Sequence, residues 1–400
     1  MGAIAPNASY HHTELGIKGD ELAKEKLARP LIGIRQTGFE DGNEISTETD
    51  EGHTGVSNLD MGSYRTNAES APTWEDGARY GQGFEDYIYL LLPNVVTSPY
   101  EDEDEETVDG IYKHVFSMPP NVDKDLPYAT IYHGFSKTET DARIFNNALE
   151  NEFEFTMAAD EKPTCKPTFI SDYNYVNCIE PVSTLLADHL LRTVMAHDTS
   201  VYIGAVGATA EEMFENPIDC FTEASWNVNH NAETQACHGD NFGENTKIMG
   251  ARELTGSITM PWVDRTKYFE TEYECYEKYG HIVSEKITQK QIWYHCKGGD
   301  IKINTGTAQE PVWENSGVPF ECLFKFPVVE ATNVTSTKSG NEAKDLTLEW
   351  KGIEQPTQSY MTAEIITDLA ALHIDDVGAT RQSYYPNTTK YPEFAATAGQ

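Results

Sequence analysis

The chain has 400 residues, of which 39% are hydrophobic and 11% are aromatic. This length and composition suffice for a buried core and exclude a chain that is disordered throughout. The charge is unusual, because 29 basic and 65 acidic residues give a net charge of −36. Such a chain repels phosphate groups, which argues against a protein that binds nucleic acid or anionic lipid through basic patches.

The sequence pattern predicts neither a membrane span nor a secretory signal. Its apolar runs fall far short of the roughly 20 consecutive residues that cross a bilayer. The segment MGAIAPNASYHH lacks the basic and apolar regions of a signal peptide. We therefore expect synthesis in a cytoplasm without membrane association. Seven cysteines without a C-x-x-C pair indicate reduced, mostly buried thiols rather than a disulfide framework.

The first part of the chain predicts irregular structure followed by a helix. Residues 1–68 are rich in glycine, asparagine, threonine and acids, and we interpret them as an extended N-terminal arm with loops. A short helix is expected over residues 84–92, ended by Pro93, with Leu91 and Leu92 facing the core.

An acidic loop follows this helix. It consists of six consecutive carboxylates: Glu101, Asp102, Glu103, Asp104, Glu105 and Glu106. Because like charges repel and unpaired carboxylates do not pack in a core, we expect this loop to be exposed. This exposed loop is a first candidate surface.

The middle of the chain combines strand patterns with one helical pattern. Apolar residues recur at helical spacing over residues 183–197, and we interpret residues 163–217 as an insertion that contains this helix. Alternating or apolar strand patterns occupy residues 112–118, 129–136, 152–157, 201–206 and 221–228.

The clearest single element lies in the segment GARELTGSITMPW, residues 250–262. Its apolar residues share one face of a predicted strand, while three hydroxyl side chains share the other. The apolar set is Leu254, Ile258 and Met260, and the hydroxyl set is Thr255, Ser257 and Thr259. This is the pattern of a strand with one buried and one wet face, and the hydroxyl set is a second candidate surface.

The remaining elements are mostly strands. Residues 229–249 are nearly all loop formers. Asp264 and Gly280 are suitable caps for a helix over residues 264–280. Strand patterns return at residues 300–305, 318–332, 345–353 and 361–366. We therefore predict one β domain over residues 69–372, followed by a polar tail over residues 373–400.

Residues with catalytic or metal-binding chemistry do not form a recognisable site in the sequence. His189 and His197 are too far apart on the predicted helix to share one metal. Cys220, His230, Cys237 and His238 do not follow a zinc-ligand spacing. The acidic stretches lack the glycine and glutamate positions of a calcium loop. Nucleotide-binding and hydrolase motifs are missing as well, so we expect no cofactor and no enzymatic activity.

Four segments, in order, resemble the tail tube proteins, or major tail proteins, of long-tailed bacteriophages. The first is ESAPTWEDGARYGQGFEDYIYLLL at residues 69–92, and the second is GIYKHVFSMPPNVDKDLPYATIYHGF at residues 110–135. The third pairs CFTEASWNVNHN at residues 220–231 with GARELTGSITMPWVD at residues 250–264. The fourth is FPVVEATNVTSTKSGNEAKDLTLEWKGIE at residues 326–354, which is similar to the family's closing hairpin.

The resemblance implies a mainly antiparallel α+β fold, a β-sandwich or half-barrel with flanking helices. In such a family six subunits close their inner sheets into a ring barrel, and hexameric rings stack into a tube. Expected partners are then other copies of the chain, together with the tape measure, tail terminator and distal tail proteins. Viral DNA would pass through the lumen without specific binding, and the protein would reside in the tail of the virion. The acidic loop would then lie in the lumen or at a contact between rings, and the hydroxyl set would face the lumen or a neighbouring subunit.

Two other classes of function remain open. One is a different virion assembly protein, such as a capsid, decoration or tail terminator subunit. The other is a carbohydrate-binding or hydrolytic β-sandwich, which would need aromatic side chains and paired carboxylates along one cleft.

Overall fold

The fold was analysed in a computed structural model, which describes most of the predicted β domain. The described residues are 12–17, 32–34, 37–49, 63–78, 80, 84–102, 106–118, 126–134, 142–159, 161–172, 175–177, 198–218, 220–235, 246–261, 289–306, 310, 312–337, 345–355, 358–368 and 370. Within them the fold is mainly antiparallel β, with two helices.

The strands, in chain order, have the following bounds. They are β1 (His12–Ile17), β2 (Ile32–Ile34), β3 (Thr37–Glu40), β4 (Glu44–Thr49), β5 (Ser63–Glu69), β6 (Thr73–Gly77), β7 (Asn94–Glu101), β8 (Thr107–Ser117), β9 (Tyr128–Gly134), β10 (Ala142–Ala158), β11 (Thr164–Ile170), β12 (Tyr175–Asn177), β13 (Thr199–Ala205), β14 (Glu223–Asn229), β15 (Glu233–Gln235), β16 (Thr246–Ile248), β17 (Glu253–Pro261), β18 (Gln289–Asn304), β19 (Trp313–Thr337), β20 (Asp345–Gly352) and β21 (Thr362–Thr367). The helices are α1 (Phe84–Leu91) and α2 (Ala210–Phe214).

One large antiparallel sheet runs through most of these strands. Its main path is β3–β6–β11–β10–β14–β17–β20–β19–β18–β13. The β4–β5 and β15–β16 pairs form two small separate sheets. Among the described strands the main path does not return to its start, so this sheet is open.

The two long strands β10 and β19 are branch points of this sheet. The first part of β10 pairs with β9, and its last part pairs with β14. On β19, residues 321–325 pair with β21, whereas residues 329–337 pair with β20. A second branch therefore runs from β19 through β21 to β8 and β7. A third branch runs from β10 through β9 to β1 and β2.

The core lies where β10 and β14 face β19 across a layer of aromatic rings. The ring centroids of Phe155 and Phe324 are 5.1 Å apart, and those of Trp226 and Phe324 are 4.8 Å apart. All three side chains are buried. Because alternate residues of these strands point inward, the apolar alternation in the sequence becomes one continuous core.

The first predicted helix is confirmed as α1, but it lies in the core rather than on a flank. Phe84 packs between Phe155 and Phe324 at centroid distances of 6.0 and 6.2 Å. Seven of the eight helix residues are buried. Glu85 and Asp86 occupy the first turn, where the positive end of the helix dipole favours carboxylates. The expectation of a flanking helix was wrong for α1, since a helix that is apolar on nearly all sides is stable only when surrounded.

Helix α2 was not predicted, although the sequence contains its start signal. Thr209 caps the helix and forms a capping box with Glu212. Met213 is fully buried and packs with Tyr202, Trp293 and Leu323 in a small cluster outside the main core. This single turn therefore covers the outer side of β13 and β18.

Most predicted strands are confirmed, with longer bounds for β10, β18 and β19. The prediction for residues 229–249 was incomplete, because β15 and β16 form a short ladder there. The helices predicted over residues 183–197 and 264–280 lie outside the described residues, as does the tail over residues 373–400.

The predicted domain boundaries stay predictions. Strands β1 to β4 lie within the segment interpreted as an arm, and β3 joins the main sheet through β6. Strands β11 and β13 lie within the segment interpreted as an insertion. They pair with β10 and β18.

The burial of β17 gives a direct test of its register. Ile258 has an exposed fraction of 0% and lies between Ala224 of β14 and Leu348 of β20. We expect Ile258→Asp to lower the free energy of unfolding by several kcal/mol, on the order of 3 or more, because it buries an unpaired charge. Chemical denaturation measures this change.

Thr259→Asp is the matched control, since it introduces the same side chain at the next position, on the wet face. We expect it to change stability by about 1 kcal/mol or less. An Ile258→Asp protein as stable as the control would contradict the register.

Candidate assembly surfaces

The wet side of β17 lies in the middle of a broad polar surface, which we call the hydroxyl face. It comprises the solvent-facing residues of β11, β10, β14, β17 and β20. Thr255 is exposed, and Ser257 and Thr259 are half-buried, whereas Leu254, Ile258 and Met260 are buried. The predicted alternation of β17 is therefore confirmed.

Strand register aligns polar side chains in rows across the hydroxyl face. Ser257 lies opposite Ser225 on β14 and Glu349 on β20. The hydroxyls of Ser225 and Ser257 are 3.0 Å apart. Thr259 and Thr347 make the same contact at 3.0 Å in the neighbouring row. Such cross-strand hydroxyl pairs stabilise a sheet while leaving its surface polar.

Carboxylates outnumber lysines on the hydroxyl face. The acidic members are Glu152, Glu154, Glu223, Glu253, Asp345 and Glu349, and the basic members are Lys166 and Lys351. Lys166 lies opposite Glu154, and the ammonium of Lys351 is 3.8 Å from a carboxylate oxygen of Glu330. Both lysines thus have acidic neighbours, and the excess of carboxylates gives the hydroxyl face a net negative charge.

The acidic loop forms the tip of the β7–β8 hairpin. Glu101 and Glu106 are exposed, and Asp102 is half-buried. The Glu106 amide donates a hydrogen bond to the Asp102 carboxylate at 2.9 Å. Glu103, Asp104 and Glu105 lie outside the described residues. The described ends of the loop accordingly lie at the surface.

Strand β7 presents a sheet edge with few protecting features. Among the described strands it pairs with β8 alone. Residues 96–99 are exposed, and the side chain of Val96 is 68% exposed. Residues 94–100 contain no charged side chain. Sheet edges usually carry charges or prolines that prevent pairing with another chain, and here Pro99 is the one such residue.

Both candidate surfaces were predicted from the sequence, but the sequence did not predict how they lie relative to each other. The acidic loop lies on the branch formed by β7, β8 and β21, whereas the hydroxyl face belongs to the main path. The structure does not bring them together into one site. The β7 edge was missed, since residues 94–101 lack strict alternation.

The described residues contain no cluster of three or more side chains with metal-ligand chemistry. Cys165, Cys296 and Cys322 are buried free thiols, and Cys220 is an exposed one. Burial raises the pKa of the Cys296 thiol. His189, His197, Cys237 and His238 lie outside the described residues. Within the described part, none of the helices is long and apolar enough to cross a membrane.

Two buried ionisable residues were also missed. Glu150 and His230 both have an exposed fraction of 0%, and their polar side-chain atoms have no hydrogen-bond partner among the described residues. Strict alternation along β10 would place Glu150 on the wet face together with Glu152. A bulge between these two residues reverses the alternation, so Glu150 shares the inner face with Phe169.

Comparison with known proteins gives no assignment. No protein-family model matches the chain. A search of curated proteins also finds no match.

The buried carboxyl predicts a pH dependence of stability. Burial raises the pKa of Glu150 well above its ordinary value of 4.5. The folded state therefore binds more protons than the unfolded state above pH 4.5, and stability is lost as the pH rises through the folded pKa. We expect Glu150→Gln to remove this loss. Urea denaturation of both proteins from pH 4.5 upward measures the difference, and parallel curves over this whole range would contradict the assignment.

The buried His230 predicts a loss of stability at acid pH, in contrast to the loss at higher pH that Glu150 predicts. Burial, and then the nearby charge of Arg252, lowers the pKa of His230 from 6.5 to about 3. Stability from this group is present above pH 6.5 and is lost as the pH falls toward 3. We expect His230→Gln to flatten the pH dependence of the denaturation midpoint between these values, while Glu150→Gln leaves the part of this limb below pH 4.5 unchanged. Equal acid limbs in wild type and His230→Gln would refute this.

Proposed function

We propose that the chain is a structural subunit of stacked rings that form the tail tube of a long-tailed bacteriophage. Its role is to line a conduit through which genomic DNA leaves the virion. The observation that carries this proposal is the hydroxyl face, a wide sheet surface with hydroxyls, amides and an excess of carboxylates.

The chemistry of this face suits the wall of a DNA conduit. A protein holds DNA mainly by placing lysine and arginine side chains on phosphates. The two lysines of the hydroxyl face have acidic neighbours, and its net charge is negative. A polyanion near this surface is repelled rather than retained, while the hydroxyl rows keep the wall hydrated.

The β7 edge supports association between copies. Among the described strands β7 pairs with β8 alone, and its residues 94–100 are uncharged, so its other edge offers backbone donors and acceptors to other chains. Pairing with a neighbouring subunit satisfies these groups, and repetition of such a contact around an axis closes a ring. The hexameric number of subunits follows from the resemblance and remains part of the proposal.

The other partners follow from the same proposal. They are the tape measure, tail terminator and distal tail proteins, which would contact the ends or the lumen of the tube. The protein is then a component of the virion with no enzymatic role. The likeness of the four sequence segments to tail tube proteins is the second line of support.

Electron microscopy of the purified full-length chain tests the proposal. We expect rings or open-ended tubes of uniform diameter in negative stain. Closed shells would favour a capsid or decoration protein, and a protein that stays monomeric at all concentrations would contradict ring formation.

A single charge at the β7 edge is expected to separate folding from assembly. Val96→Lys places an ammonium on a side chain that is already 68% exposed. Stability should therefore change by less than about 0.5 kcal/mol, whereas pairing along the edge is blocked. Val206→Lys is the matched control, because Val206 is 46% exposed in the turn after β13. Sedimentation velocity should show assembly for the control and monomers for Val96→Lys, and equal assembly would exclude β7 as a contact.

A further inference from the structure

A buried charge pair joins the small β15–β16 sheet to the main sheet. The ammonium of Lys247, on β16, contacts the carboxylate of Asp172, which follows β11. Their side chains are only 3% and 4% exposed. The two residues are 75 positions apart in the sequence, so the contact closes a long loop.

A third side chain completes the cluster. The Asn147 amide nitrogen donates a hydrogen bond to the second oxygen of Asp172 at 2.5 Å. The backbone of Asn147 has a φ of 49°, a conformation that asparagine adopts more readily than most residues. The Asp172 carboxyl therefore has an amine on one oxygen and an amide donor on the other.

We propose that Lys247 and Asp172 form an intramolecular amide bond. The first step is the transfer of a proton from the ammonium to the carboxylate along their contact. The neutral Lys247 amine is then a nucleophile held against its target carbon, which replaces a bimolecular encounter by a fixed geometry.

The reaction is a condensation in which no group is oxidised or reduced. The nitrogen lone pair of Lys247 attacks Cγ of Asp172 and forms the new C–N bond. Negative charge on the second oxygen is stabilised by the Asn147 amide, as an oxyanion hole does. The C–OH bond then breaks, and the hydroxyl leaves with a proton from the nitrogen as one water molecule.

The same chain contains an internal comparison. Lys325 contacts Glu364, but these side chains are 23% and 21% exposed, and Lys113 contacts the same carboxylate. Water and a second cation keep this pair ionised, so no amide forms there. Burial, rather than contact alone, distinguishes the reactive pair.

Intact mass spectrometry of the denatured full-length protein tests the proposal. We expect a mass lower than that of the sequence by one water molecule. Protease digestion should yield a branched peptide that contains both Lys247 and Asp172, and linear peptides for Lys325 and Glu364. A full sequence mass, or a water loss located elsewhere, would overturn the proposal and leave only an ion pair.

Substitutions assign the roles of the three residues. Lys247→Arg keeps the positive charge but removes the nucleophile, because arginine stays protonated. It should have the full sequence mass, as should Asp172→Ala. Asn147→Gly tolerates the same backbone conformation and lacks the amide. It should increase the uncrosslinked fraction, and an unchanged fraction would remove Asn147 from the mechanism.

Discussion

The architecture depends on two strands that each pair with different neighbours along their length. Because β10 exchanges β9 for β14, and β19 exchanges β21 for β20, each belongs to two branches of the sheet. The inward side chains of such a strand must reach the same core from both branches. The aromatic layer between Phe155 and Phe324 meets this requirement. Helix α1 lies within the same core, packed against both rings.

The pairing of these strands also determines the different chemistry of the hydroxyl face and of the β7 edge. Once alternate residues of β11, β10, β14, β17 and β20 point into the core, the others form the hydroxyl face. Its rows of serine, threonine and asparagine are produced by strand register, since each row collects residues that are distant in sequence. Strand β7, by contrast, is the last strand of its branch among the described strands. Its residues do not alternate between buried and exposed, so apolar and polar side chains are not sorted onto separate faces.

Strict alternation made part of this structure predictable. The β17 pattern predicted both its buried set and its wet set, and the strand pattern over residues 318–332 predicted the middle of β19. Strand β18 was predicted only over its last residues, because the segment from Gln291 to Cys296 is buried on both faces and so lacks alternation. Glu150 was missed for a different reason, since a bulge reverses the phase of β10. The cluster of Lys247, Asp172 and Asn147 depends on tertiary contacts that no local pattern encodes.

The position of β21 has a consequence for biosynthesis. This strand, residues 362–367, inserts between β8 and β19, although β8 precedes it by about 250 positions in the chain. During translation, β8 therefore emerges from the ribosome long before its second neighbour exists. Pairings of such sequence separation form slowly, and the waiting strand is open to incorrect partners. The β7–β8–β21 branch can therefore be completed only after β21 has been synthesised, and a nascent chain that stops short of β21 retains an incomplete sheet.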